Sequence, residues 1–514
     1  MWDNKYREEL VKKREAVKNG GGWERIERQH EKGKLTARER LDILFDKGTF
    51  VEVNSFIESR IDDFGMNQKR VPGDGVITGY GKISNRLVFA YSEDFTVIGG
   101  TLGEYHSLKI CKIMDYAFQM RAPLIAVSDS GGARIEEGVC SLSGYSGIFL
   151  RNTKLSGVVP QIAVILGPCA GGANYSSAIC DFIFMAEETS RMFIIGPGVV
   201  KEVIGEKVTS FELGSTQVHM EKSGVAHFAF QNDAECLLGV RKLLDYLPAN
   251  NGEKPIESEK EYKRVSDELQ EAVPEEQRKI YDVRKVIYLI ADTDSFLEVQ
   301  PRYAANIVIG FARLNGSVLG IVANQPLVMG GSLDGNASEK GARFVRFCDA
   351  FNIPLLTLVD VPGFFPGMAQ EHSGIIRRGA KLLYAYSEAT VPKISLIMRK
   401  AYGGAYIAMN SKDMGADMVY AWPIAQIAVM GAAGAVDVIH KKEIGEAVDR
   451  EAIREEFIKQ YKEIFMNPYV AARRGYVDEV ILPEETREKL ISAFEMCSAK
   501  YRNTIKKKHG NIPL

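Results

Sequence analysis

The sequence predicts an α/β protein made of two tandem, homologous halves, and three observations carry that expectation. The first is an internal repeat: "GYGKISNRLVFAYSEDFTVIGGTLGE", starting at Gly79, has the pattern of "GFARLNGSVLGIVANQPLVMGGSLDG", starting at Gly310. Positions match at an offset of 231, taking Gly99 and Gly100 to Gly330 and Gly331, Lys109 to Lys340, Pro123 to Pro354 and Asp129 to Asp360. The offset then becomes 232, with Pro160 matching Pro392 and Gly171-Gly172-Ala173 matching Gly403-Gly404-Ala405. The second observation is that short β-rich runs alternate with helically spaced ones, the mark of an α/β fold with covered sheets. The third is a polar stretch rich in Pro, Asn, Glu and Lys near 248–280, where a domain boundary falls. The domains are then 1–255 and 256–514.

The elements follow in order. The charged opening, residues 1–20, reads as an amphipathic helix. "KLTARERLDILFD" sets Thr36 three residues before Glu39, a capping-box helix start. "RLVFAYSED" and "LIAVSDS" are strands, and "GEYHSLKICKIMDYAFQMR" between them has helical spacing. "QIAVILGPCAGG" is a strand running into glycines, followed by the helix-like "ANYSSAICDFIFM". The second half repeats this order. Its uncharged run from Met418 to Val436 contains Pro423, Gln426, Gly431 and Gly434, which suits a buried strand, turn and helix better than a membrane span. The basic Lys506-Lys507-Lys508 follows Arg502 on a terminal helix and reads as a solvated charge run.

Composition narrows the function. At 514 residues the chain exceeds one core, and a formal net charge of −2 gives a polyanion nothing to bind, so no nucleic-acid partner is expected. The seven cysteines include no Cys-x-x-Cys pair and no histidine lies at zinc-ligand spacing, so no metal is expected. No signal peptide is recognisable, and reduced thiols in a cytoplasm are the default.

Familiar catalytic signatures are missing. There is no Gly-x-x-x-x-Gly-Lys-Ser/Thr loop, no His-Glu-x-x-His and no Gly-x-Ser-x-Gly elbow, and "GDGVITG" fails the dinucleotide spacing. His106, His219, His227, His372 and His440 have no acid-base partner in sequence and read as structural or surface residues. Glu136, Glu137 and Glu371 beside glycine-rich turns could act as general bases, but solvated loop carboxylates are the simpler reading. What stands out is "CAGGANYSSA" and "AYGGAYIAMN", the same small-residue turn at matched strand ends. One reading is packing, because Gly and Ala let backbones approach closely. The other is chemistry: bare glycines at a helix start expose N–H donors that hold a developing oxyanion, at roughly 3–4 kcal/mol per donor in comparable sites. Such donors suit enolate chemistry on a thioester, and the duplication favours this second reading.

The repeat, together with "KLTARERLDILFDKGTF", "SDSGGARIEEG", "GPCAGGA", "GIIRRGAKLLYAY", "EATVPKI" and "RKAYGGAY", closely resembles the carboxyltransferase subunits of biotin-dependent acyl-CoA carboxylases and decarboxylases, of the propionyl-CoA carboxylase β and methylmalonyl-CoA decarboxylase α types. The resemblance implies two crotonase-like domains per chain, acyl-CoA on the first and biotin on the second. It implies a homohexamer built as a trimer of dimers, with each active site between the N-terminal domain of one subunit and the C-terminal domain of its partner. Gly171 and Gly172 would hold the thioester oxygen, and Gly404 with Ala405 the ureido oxygen of biotin. Ser130, Gly131, Gly132, Ala133 and Arg134 would line the coenzyme A side, Arg134 as a phosphate contact. Tyr402 and Gly403 would flank the biotin turn, and Ile407 would sit in the acyl pocket. No side chain need act as base. No Lys lies between two Met residues, so biotin is expected on a separate carrier protein or domain, loaded by a biotin carboxylase subunit or unloaded through membrane decarboxylase subunits. The four-cysteine zinc ribbon of many acetyl-CoA carboxylase β subunits is missing, which disfavours that relative. A crotonase-type hydratase or isomerase and a non-catalytic acyl-CoA-binding scaffold remain the alternatives from other classes.

Overall fold

The computed structural model describes residues 4–261, 268–501 and 507–513. The chain divides into two compact units, Met1–Lys254 and Pro255–Leu514.

The first unit opens with α1 (Asn4–Asn19), of which only Val17 is buried, so its charged surface faces solvent all round. α2 (Trp23–His30) and α3 (Ala37–Leu44) follow, and α3 starts at the expected capping box, with Thr36 and Glu39 bonded reciprocally. The sheet contains β1 (Val51–Val53), β2 (Val76–Ile83), β3 (Arg86–Glu93), β4 (Leu124–Ser130), β5 (Gln161–Ala170), β6 (Phe182–Ala186), β7 (Arg191–Phe193) and β8 (Phe228–Phe230). Its order is β1-β2-β3-β4-β5-β6-β8, with β7 paired to the far end of β5. The first three strands are antiparallel hairpin partners, and from β3 onward every pairing is parallel. The crossovers are α4 (Glu104–Met120) and α5 (Val139–Leu155), and α6 (Gly172–Ile179) caps the end of β5. The middle strands are buried on both faces, as their continuous apolar runs require.

One expectation needs correcting here. "ANYSSAICDFIFM" is helical only to Ile179, and Phe182–Ala186 is the buried strand β6. The run of aromatic and β-branched residues after Cys180 and Asp181 pairs with β5 instead of extending the helix.

The second unit repeats this plan. β9 (Leu297–Val299), β10 (Ile307–Leu314), β11 (Ser317–Asn324), β12 (Leu355–Val361), β13 (Lys393–Tyr402), β14 (Met418–Ala421), β15 (Gln426–Ala428) and β16 (Glu479–Val480) form a sheet of order β16-β14-β13-β12-β11-β10-β9, with β15 paired to β13. The uncharged run is thus β14, a turn, β15 and the helix Ala432–Ile439. Among the described residues no helix is long and apolar enough to cross a membrane. The last helix ends at Met496 and a short 3-10 turn runs to Ala499. Arg502 and Lys506 lie outside the described residues, and Lys507 pairs at the surface with Glu388, 2.8 Å away.

Candidate active site

Both glycine turns sit at the C-terminal end of a central parallel strand, β5 in one unit and β13 in the other. Gly171 has φ +58° and ψ −125°, and Gly403 also has φ +58°. An L side chain rarely adopts this conformation, so the chain needs glycine at both positions to turn from strand into helix. The Gly171 N–H is directed at the Phe193 carbonyl at 3.4 Å, a long contact. The next amides, of Gly172 and Ala173, open α6 and have no intrahelical acceptor. In the second unit the helix Gly403–Ala408 places the amides of Gly404 and Ala405 in the same position.

Packing around the turns differs. A Cβ on Gly172 would lie 2.7 Å from the Tyr145 ring, whereas one on Gly404 would meet only the Phe364 ring at 3.9 Å. Gly404 is exposed and Gly172 half-buried. The small-residue requirement at Gly172 is therefore partly steric, and at Gly404 the space above the turn is open. Tyr402 is buried, its hydroxyl donating to Gln426 Oε1 at 2.6 Å, so it anchors β13 to β15 below the turn. Ile407 is 45% exposed on the outer face of the short helix, at the repeat position of Tyr175 in α6.

A shared β-bulge aims each turn. Ser128 faces Ile165 and Ser130 faces Cys169, so Asp129 alone spans Leu166, Gly167 and Pro168 on β5. In the second unit Val359 faces Ile397 and Val361 faces Ala401, so Asp360 spans Met398, Arg399 and Lys400. Both aspartates are fully buried and cation-paired. Asp129 receives Lys34 Nζ at 2.7 Å, Gln29 Nε2 at 2.8 Å and Arg40 Nη1 at 2.9 Å, and Arg40 also donates to Asp233 at 2.8 Å and the Leu166 carbonyl at 2.7 Å. Asp360 receives Arg399 Nε and the Tyr281 hydroxyl, each at 3.0 Å, and the Lys400 N–H at 3.1 Å. Burial pushes the Asp360 carboxyl up, with Arg399 opposing it, and burial pulls the Lys34 ammonium down, with Asp129 opposing. Sequence reading saw both aspartates as repeat positions but not their role.

The "SGGAR" segment follows β4. Ser130 is buried and donates to the Gly100 carbonyl at 2.6 Å, and its Oγ accepts the Gly132 N–H at 3.2 Å. The Gly131 N–H donates to the Gly99 carbonyl at 2.9 Å, and Ala133 bridges to Leu102. Gly132, at φ +100°, lets the loop pass beside β5, where a Cβ would stand 3.1 Å from the Ala170 carbonyl. Arg134 is not where a phosphate contact belongs. Its guanidinium is buried, donating to Asp74 at 2.8 Å, Glu137 at 2.7 Å and the Thr101 carbonyl at 2.9 Å, so it clamps the loop from inside. Glu137 is spent in that clamp and on the Glu104 N–H, while Glu136 is half-buried and Glu371 exposed. Among the described residues no group of His, Cys, Asp and Glu is arranged to hold a metal.

Residues 28–512 match the carboxyl transferase domain family. The carboxyltransferase subunit of propionyl-CoA carboxylase from Haloferax mediterranei is 56% identical, over 99% of this chain and 99% of that protein. The α subunit of methylmalonyl-CoA decarboxylase from Propionigenium modestum is 54% identical over 99% and 98%. Among solved structures, the hexameric transcarboxylase 12S with methylmalonyl-CoA and methylmalonic acid bound superimposes with a TM-score of 0.97 at 54% identity, covering 99% of this chain and 98% of that one. The two-domain crotonase-like fold is shared with it.

Proposed function

The chain belongs to the carboxyl transferase family, and on that premise we propose that it moves a carboxyl group between carrier-bound biotin and a short-chain acyl-CoA, with propionyl-CoA and methylmalonyl-CoA as the acyl pair. The observation that carries this reading is the duplicated turn, two strand ends with φ +58° glycines that each present first-turn amides.

Each turn takes one oxygen. Of the expected pair Gly171 and Gly172, the Gly171 N–H is turned to the Phe193 carbonyl, and the Gly172 amide that it sets stabilises the thioester oxygen as the α-proton leaves. The amides of Gly404 and Ala405 stabilise the ureido oxygen, and the open space above Gly404 fits a ring laid on the backbone. Biotin held at the second turn would supply the carboxyl group and the acceptor for the α-proton. The protein therefore contributes binding, exclusion of water and two anion sites, and no side chain has to serve as base. The same two sites serve either direction. Ser130, Gly131, Gly132 and Ala133 form the acyl-CoA side, and Ile407 limits the acyl chain.

We place the working site between the first domain of one subunit and the second domain of a dimer partner, in a homohexamer that receives biotin from a carrier protein. The relatives support two settings: the β subunit of an acyl-CoA carboxylase with a biotin carboxylase subunit, or the α subunit of a decarboxylase. Methylmalonyl-CoA incubated with the protein and free biotin tests the reaction. Biotin-dependent conversion to propionyl-CoA is expected. Hydration of an enoyl-CoA, or binding without turnover, would overturn it.

A further inference from the structure

Below the acyl-side turn lies a buried pair that the reaction above does not use. Glu93, the last residue of β3, is 3% exposed. It is faced by Ser128, Asp129 and Ser130 on β4, Cys169 on β5, Tyr145 on α5, Tyr91 on its own strand and His106 on α4. Its Oε2 accepts the Ser128 hydroxyl at 2.6 Å and the Asp129 N–H at 3.3 Å. Its Oε1 stands 3.8 Å from His106 Nε2. His106 Nδ1 is 2.9 Å from the Asp74 carbonyl, which can only accept, so the ring proton is assigned to Nδ1. Nε2 therefore turns a lone pair toward Glu93, and it has no hydrogen-bond partner. Two lone pairs face each other unless a proton lies between them.

The internal repeat says which residue holds that proton. The position of Glu93 is taken in the second unit by Asn324, a neutral amide. Asn324 Oδ1 accepts the Asp360 N–H at 3.3 Å, as Glu93 accepts that of Asp129, and its Nδ2 donates to the Gly331 carbonyl at 3.2 Å. The bulge in each half thus rests on a group that accepts with one atom and can donate with the other. A protonated carboxyl matches the amide and a carboxylate does not. A proton on His106 instead would add a cation beside Arg134 and Lys109, and burial with those two charges holds the imidazole neutral.

We propose that Glu93 works as the neutral acid with its proton on Oε1 toward His106, and that it is a positioning residue for the Asp129 bulge that aims the acyl-side turn. Its position between Ser128 and Asp129 is the reason: Ser128 Oγ lies 3.7 Å from the sulfur of Cys169, two residues before Gly171. Burial raises the Glu93 carboxyl to about 7, with Asp129 adding to the rise and the serine hydroxyls and Asp129 amide opposing it. The folded value lies above the ordinary 4.5, so the stability linked to this proton is full below 4.5 and is lost as pH rises through about 7. This inference takes the role of the turn from the proposed function, but its first readout does not.

The test compares the whole protein with Glu93→Gln and Glu93→Ala. An infrared difference spectrum at pH 6, below the raised value of about 7 and above the ordinary 4.5, wild type minus Glu93→Gln, is expected to contain a protonated-carboxyl stretch. The melting temperature of Glu93→Gln relative to wild type should climb between pH 5 and 7 and then level. Glu93→Gln should keep kcat within about threefold, because the amide oxygen still accepts from Ser128 and the Asp129 N–H while its NH2 turns a donor, not a lone pair, toward His106, and should lose any alkaline limb of the wild-type profile. Glu93→Ala should lower kcat by on the order of tenfold or more with a smaller change in KM, unless it fails to fold, in which case the spectrum decides. A missing carboxyl stretch, or a well-folded Glu93→Gln slower by about a hundredfold, would overturn the proposal. Wild-type protein that transfers nothing but retains the stretch would instead refute the function.

Discussion

The two halves keep the same backbone and support it with different side chains. At the bulge of the first half, Gly167 leaves room beside Asp129, and a Cβ there would stand 2.0 Å from the carboxylate. The cations come from elsewhere: Arg40 on α3 and Lys34 just before it. At the matching position of the second half the strand itself supplies Arg399. One arrangement brings its cations to the aspartate from a distant segment, and the other takes its cation from the bulged strand and uses it to hold the carbonyls of Pro274, Glu276 and Lys279. The duplication has preserved the direction of the turn and its φ angle, not the identity of its supports. That is what the proposed use of main-chain amides would require.

The largest expected difference follows from this contrast. Arg40→Met strands Asp233 and removes one partner of Asp129, at a cost of about 3–5 kcal/mol. Arg399→Met takes the guanidinium from Asp360, whose carboxyl burial already pushes up, and also from the carbonyls of Pro274, Glu276 and Lys279, so its loss should be at least as large, with the Asp360 share shrinking toward acid pH as that carboxyl takes a proton. Chemical denaturation of both variants at two pH values checks the order.

A second pair sharpens it. Lys340 Nζ donates to the carbonyls of Gln300 at 2.9 Å, Tyr303 at 2.7 Å and Ile307 at 2.9 Å, while Lys109 donates to those of Gly73 and Val76. Burial lowers the ammonium to about 7 in Lys340 and about 8 in Lys109. Replacement by Met leaves the carbonyls unsatisfied at about 1–3 kcal/mol each, so Lys340→Met should cost more than Lys109→Met in thermal unfolding.

Much of this was legible in the sequence. The repeat exposed both glycine turns, Asp129 with Asp360 and Lys109 with Lys340, because equal spacing survives where chemistry is shared. The supports were not legible: Arg40 reaches Asp129 across 89 positions, and nothing local marks Arg40 as buried. The buried clamp made by Arg134 was only half legible, since Glu137 lies three residues on but Asp74 lies 60 positions away. The break after Ile179 is hard to see because only Cys180 and Asp181 separate the helix from the apolar strand Phe182–Ala186.

Smaller effects separate strain from contact. Alanine at Gly171 adds only backbone strain, about 1–3 kcal/mol, whereas at Gly403 it adds strain and a Cβ 2.9 Å from the Val429 carbonyl. Gly403→Ala should therefore melt at the lower temperature. Gly172→Ala crowds Tyr145, but Gly404→Ala has space and should leave stability within about 1 kcal/mol while slowing carboxyl transfer.

Complementation tests the central claim most directly. Gly171→Val and Gly404→Val disable opposite turns, and each variant alone should form the oligomer without transferring carboxyl groups. Co-expressed, they should recover roughly a quarter of wild-type transfer, because half of randomly paired dimers contain one site with both turns intact. Mixed oligomers that remain as inactive as their parents would contradict a site shared between subunits.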